Sequence, residues 1–162
     1  MPDAPRRILI AGYYGFGNAG DEAILAGMLA DLRALRPDLE FLVASGDPAG
    51  TQADHGVQAI PRDDLQAVLT AVRESDLVIL GGGGLFQDYW ESVTEDLLTP
   101  RQGGLAAYLS FPVLAALLGK PAMIYAAGVG PLRTPEGRRQ TRTAFELCQR
   151  ATVRDAESLA LL

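Results

Sequence analysis

The sequence predicts an α/β fold, a parallel β-sheet with helices on both faces. Three observations predict it. Short apolar runs alternate with helix-like segments along the 162 residues. Each run is bounded by Gly, Pro or Asp, as strands buried on both faces are. Glycine-rich turns follow several runs at their carboxyl ends, where such sheets carry their ligand-binding loops. Alternation of this kind builds a Rossmann-like sheet with right-handed crossovers. With 48% hydrophobic residues the chain can bury a sizeable core, and its length suits a single domain over residues 1–162.

The elements follow in order. A first strand spans residues 8–11, and a glycine-bearing loop from Gly15 to Glu22 leads into a helix over 21–35. That helix sets Ile24, Leu25, Met28, Leu29 and Leu32 on one face, at spacings of three and four, and Pro37 stops it. Strands are predicted at 40–44 and 57–60. Between them, His55 lies in a polar Asp54-His55-Gly56 turn and reads as a solvated loop residue. A helix over 63–74 aligns Leu65, Val68, Leu69 and Val72 and leads to a strand at 77–80. After the glycine run 81–84 comes an acidic stretch, residues 89–103, with Pro100 and a Gly103-Gly104 hinge. It is predicted to be mobile without ligand, and Tyr89 and Trp90 in it read equally as a sugar-stacking pair or a lid packed on its own domain. The helix over 104–118 is apolar almost all round, and Pro112 is expected to kink or break it. A strand at 122–126, a helix at 135–149 that carries Cys148 as a small core residue, a strand at 151–153 and a helix from Asp155 to the chain end complete the pattern.

Composition narrows the function. The net charge of −6 and the pI near 4.7 argue against nucleic acid as a partner, which would need a basic surface. A single cysteine excludes an internal disulfide and fits a reducing cytoplasm. Residues 1–7 are polar and the apolar run behind them is short, so no signal peptide is read. No stretch reaches the ~20 apolar residues of a membrane span. No His/Cys/Asp cluster has metal-ligand spacing, so no metal is expected.

Unusual residues gather behind the strands. Behind the first lie Gly17, Asn18, Gly20, Asp21 and Glu22; behind the fourth, Gly82, Gly83, Gln87 and Asp88; behind the fifth, Gly128 and Gly130; behind the sixth, Arg154 and Asp155. Four such loops on one rim form a site. The first loop satisfies G-x-G-x-x-G, the dinucleotide fingerprint. Two details count against a dinucleotide. Tyr13 and Tyr14 intervene between the strand and the first fingerprint glycine, and Asp21 and Glu22 stand where a pyrophosphate would dock. Carboxylates there repel an anion and favour hydroxyl groups.

Gly17-Asn18-Ala19-Gly20-Asp21-Glu22, the glycine run 81–84 with Gln87 and Asp88, Gly128-Val129-Gly130-Pro131, and Val153-Arg154-Asp155 with Ser158 resemble the polysaccharide pyruvyl transferase family in order and spacing. The resemblance covers nearly the whole chain and is to that family's amino-terminal half. It implies the amino-terminal half of a fold similar to the B-type glycosyltransferases, with a second Rossmann-like domain, absent from these 162 residues, carrying much of the donor site. It implies a cytoplasmic enzyme, soluble or peripheral to the inner face of the membrane. Such an enzyme transfers a pyruvyl group from phosphoenolpyruvate to a sugar or lipid-linked glycan of a cell-wall or surface polymer, as a cyclic ketal. No cofactor beyond that donor is implied, and this domain by itself is expected to be inactive. A homo-oligomer stays open, as does the acceptor.

Ketal formation needs a base near the acceptor hydroxyls and cations for the donor's carboxylate and phosphate. Asp21 and Glu22 suit the base or acceptor-orienting role, Asn18 a hydroxyl, and Arg154 a bidentate hold on an oxyanion. Few other cations fall on the expected rim. Each residue also has a plainer reading: Asp21 as a helix cap, the glycine run as a place for a helix to pack, Arg154 and Asp155 as a local ion pair and cap. The competing functions are an NAD-dependent oxidoreductase, a nucleotide-sugar glycosyltransferase and a non-catalytic module.

Overall fold

A computed structural model of the chain describes residues 7–89, 94–99 and 104–162. Six strands form one parallel sheet: β1 (Arg7–Ala11), β2 (Glu40–Ser45), β3 (Gln58–Pro61), β4 (Leu77–Gly81), β5 (Ala122–Ala127) and β6 (Arg150–Val153). Their spatial order is β3-β2-β1-β4-β5-β6. The chain winds outward from β1 to β3, returns to β4 and winds outward the other way, which puts the topological switch between β1 and β4. The register pairs Leu9 with Leu42 on one side and with Val78 on the other.

Residues of β1 alternate between two cores, as a two-per-turn strand must. Ile8 and Ile10 pack with Leu25, Met28 and Leu29 of α1 (Ala19–Leu35). Leu9 and Ala11 face the other layer, with Val68 and Val72 of α3 (Leu65–Glu74) and Leu105, Leu109 and Leu114 of α4 (Gly104–Leu117). Ala144 of α5 (Pro135–Leu147) joins that second core. Helices therefore cover both faces, and the fold is α/β and Rossmann-like. Among the described residues no helix is long and apolar enough to cross a membrane.

Four local expectations are corrected. Asp21 does not cap α1: Asn18 does, its side chain accepting the Gly20 N–H at 3.0 Å, and Asp21 lies inside the first turn. Residues 48–55 form a helix, α2 (Pro48–His55), capped by Asp47 and closed by Gly56 in the left-handed region. α4 runs unbroken through Pro112. A proline inside a helix costs about 3 kcal/mol, whereas each large apolar side chain fully buried returns about 1.5–3 kcal/mol; Leu105, Leu109, Phe111 and Leu114 are all buried. The last helix, α6 (Ala156–Leu159), is one turn and stops short of the chain end. Of the stretch 89–103, Trp90 and residues 91–93 and 100–103 lie outside the described residues, so its expected mobility does too; Thr94–Asp96 form a 3₁₀ turn.

Candidate functional site

The loops behind β1, β4, β5 and β6 converge on the carboxyl rim, and hydrogen bonds lace them together. Tyr14 turns inward, and its hydroxyl donates to the Gly81 carbonyl at 2.7 Å, across the switch between β1 and β4. Burial pushes that hydroxyl far above its ordinary range, with Asp21 and Glu22 adding to it. The Gly82 N–H donates to Tyr125 O at 2.8 Å, and the Gly128 N–H to Gly83 O at 2.7 Å. The Gly130 N–H donates to Phe86 O at 2.7 Å, and the Val129 N–H reaches Ser158 Oγ at 3.0 Å.

The glycine loop behind β1 has filled its own anion site. Glu22 Oε1 accepts the Gly15 N–H at 2.8 Å, and its Oε2 meets His55 Nε2 at 2.9 Å. A carboxylate only accepts, so Nε2 carries the proton of that bond. The His55 side chain is 9% exposed, which overturns its reading as a solvated loop residue. The last residue of α2 thus pins the first turn of α1, and Arg33 of α1 donates to the His55 carbonyl at 3.2 Å.

Asp21 differs from Glu22. No hydrogen bond or ion pair forms on its carboxylate among the described residues. Burial, and then Glu22, raise its proton affinity above the ordinary carboxylate value. Its Oδ1 lies against the α-carbon of Gly83, where φ is 74° and a β-carbon would collide with the carboxylate. On the other side of Gly83, Gly128 supports the Arg154 guanidinium, whose Cζ would stand 2.8 Å from a β-carbon at 128. Asp21, Gly83, Gly128 and Arg154 therefore form one contiguous row. Arg154 also pairs with Asp155 at 2.8 Å, and Asp155 caps α6. Just before this row, Ala126 holds a left-handed φ of 49° at the irregular pairing of β5 with β6. Strain of that kind in a non-glycine residue gathers at functional sites.

The other residues singled out from sequence fall around the row. Gly17, Asn18 and Gly20 form the exposed entry to α1, and Gly82 packs against Ile24. The Gln87 side chain folds back near Gly84. Asp88 is buried at 5% exposure and ties into the loop between β5 and α5. Its carboxylate accepts the Arg133 N–H at 2.6 Å, the Thr134 N–H at 2.6 Å and the Thr134 hydroxyl at 2.7 Å. Burial pushes this carboxyl up, but those hydrogen bonds outweigh it and hold it below its ordinary value. Tyr89, 53% exposed, lies under the Arg133 guanidinium at 5.0 Å.

Two residues at the rim, Tyr108 and Arg62, escaped the sequence analysis, and His55 was named there only as a loop residue. Arg62 follows β3, yet its Nη1 reaches the Gly12 carbonyl at 3.0 Å, so the rim holds one more cation than the motifs indicate. A basic residue behind an edge strand gives no periodic signal; only the strand order brings it inward.

Among groups of His, Cys, Asp and Glu in the described residues, none is arranged to hold a metal ion. The family model described as polysaccharide pyruvyl transferase matches residues 18–162. No curated protein matches the chain.

Proposed function

The chain belongs to the polysaccharide pyruvyl transferase family, and from that premise we propose that its rim takes part in pyruvyl transfer from phosphoenolpyruvate to a polysaccharide sugar. The single observation that supports this reading is the row Asp21–Gly83–Gly128–Arg154. It sets an unpaired carboxyl of raised proton affinity and a guanidinium on either side of two bare glycine α-carbons, at the rim where such sheets bind ligands.

In this reading a proton is added to the methylene carbon of phosphoenolpyruvate, and the adjacent carbon becomes electrophilic. One sugar hydroxyl attacks that carbon and gives its proton to Asp21. Phosphate leaves, a second hydroxyl attacks, and the ketal closes. Of the two hydroxyl protons, one balances the proton gained by the methyl carbon and the other leaves on phosphate. Arg154 holds an oxyanion of the donor. Asn18 and the exposed loop around Gly17 and Gly20 face the acceptor. Glu22, with both oxygens engaged, holds the loop. The acceptor is a cell-wall or surface glycan handled in the cytoplasm, and a second domain completes the donor site.

Glu22 also bears on the dinucleotide alternative. A pyrophosphate would need the Gly15 N–H that Glu22 already occupies. The test is phosphate release from phosphoenolpyruvate, with glycan acceptors, by the full-length protein in which the second domain is present. Acceptor-dependent release that collapses in Asp21→Asn supports the reading; NAD-dependent chemistry with no release defeats it.

A further inference from the structure

We infer that Arg62 is a second donor-binding residue, whose guanidinium holds an oxyanion of the donor at the switch between β1 and β4. The inference rests on the pyruvyl-transfer reading above and adds a residue from outside its motifs. Arg62 comes from the edge of the sheet: β3 is the outermost strand, and β2 lies between it and β1. Its side chain crosses β2 and ends at the Gly12 carbonyl, 3.0 Å from Nη1. Gly12 touches the other side of the switch, since a β-carbon there would sit 2.7 Å from Gly81 O. The guanidinium therefore stands at the mouth of the crevice, with the Asp21 row beyond it.

Its surroundings are those of a poised cation. The Phe16 ring lies 5.5 Å and the Tyr108 ring 5.2 Å from the guanidinium carbon. Aromatic rings suit the weakly hydrated planar face of Arg and leave its N–H edges for a planar or tetrahedral oxyanion. Arg62 is partly buried, and no carboxylate pairs with it among the described residues. Ion-paired arginines elsewhere in the fold, such as Arg36 with Asp38 and Arg142 with Glu146, pair with a neighbour in sequence. A sheltered guanidinium whose partners are the Gly12 carbonyl and the Tyr108 hydroxyl, neither of them a carboxylate, still has donors left for an oxyanion. The Tyr108 hydroxyl feels both charges of the crevice: burial raises it, Arg62 pulls it down and Asp21 pushes it up. A donor placed between the two would meet a cation on one side and the base on the other.

The plain alternative is a brace, with Arg62 only tying the Gly12 loop. Binding of phosphoenolpyruvate by calorimetry to the full-length protein, second domain included, for wild type, Arg62→Gln and Arg62→Lys, separates the two, with melting temperature read on the same samples. We expect Arg62→Gln to weaken binding about 10- to 100-fold, the range of a charged hydrogen-bonded contact. Arg62→Lys should recover part of that loss, because it keeps the charge but not the fork. Competition by inorganic phosphate or by pyruvate then tells which end of the donor Arg62 holds: the competitor that loses potency in Arg62→Gln marks it. Equal affinity for phosphoenolpyruvate in wild type and Arg62→Gln, with or without a lower melting temperature, overturns the inference and leaves the pyruvyl-transfer reading standing. No binding of phosphoenolpyruvate to wild type overturns that reading itself.

Discussion

His55 Nε2 stands 2.9 Å from Glu22 Oε2, while the other oxygen of the same carboxylate holds the Gly15 N–H. One side chain thus joins the end of α2, the start of α1 and the glycine loop. Replacing His55 with Ala should cost about 1–2 kcal/mol and speed hydrogen exchange at Gly15. A thermal melt and amide exchange check this; an unchanged melt with unchanged protection at Gly15 would reduce the pair to a surface contact.

Asp21→Asn should lower turnover about 10²- to 10⁴-fold, the usual contribution of a general base. Stability should hold or rise. Burial and then Glu22 raise the Asp21 carboxyl, so its protonated form is favoured in the fold. The stability it contributes is complete below the ordinary carboxylate pKa and is lost as pH rises through the raised value. Asn, neutral at every pH, escapes that loss. Melting temperature and turnover at pH 7 on one preparation test both halves.

Asp88→Asn should behave in the opposite way, costing about 1–3 kcal/mol through a buried amide turned toward N–H donors. The Asp88 carboxyl is held below its ordinary value, so its contribution is present above the ordinary carboxylate pKa and lost as pH falls through the depressed one. Acid titration of the melting temperature should therefore show a shallower limb in Asp88→Asn than in wild type.

Gly83→Ala should combine strain with misplacement. At φ 74° an alanine costs about 1–2 kcal/mol, and its β-carbon would drive the Asp21 carboxylate aside. Gly119→Ala is the control: φ is 65° and nothing lies within 4 Å. Both variants should lose similar stability, and only Gly83→Ala should lose activity by an order of magnitude or more.

Cys148 ends α5, and burial pushes its thiol up to about 11. At pH 8 roughly one thiol in a thousand is then ionised. Alkylation of the native protein by iodoacetamide should be slow and should accelerate on adding denaturant.

The sheet was legible because its strands are short, apolar and sharply bounded; each lies within a residue or two of its expected place. Residues 48–55 escaped because Pro-Ala-Gly-Thr-Gln-Ala-Asp-His has almost no apolar stripe; the caps Asp47 and Gly56 were the readable signal. Pro112 misled in the other direction, since burial outweighs a local rule. In the site, the motifs located the loops but not the allegiance of each side chain. Asp21 and Glu22 are neighbours of one chemical type, and only the fold shows that Glu22 is engaged and Asp21 is not. Arg62 and His55 reach the rim through strand order and helix packing, which no spacing in the sequence encodes.

Glu22 lies only seven residues beyond the N–H that it occupies. An incoming phosphate must compete with a carboxylate tethered next to its own target, at an effective concentration that short links set in the millimolar range or above. Any nucleotide would thus lose affinity against a competitor that cannot diffuse away. The same tether makes the glycine loop indifferent to the cellular phosphate pool, so that a fingerprint elsewhere used to attract diphosphates is, in this chain, kept occupied from within.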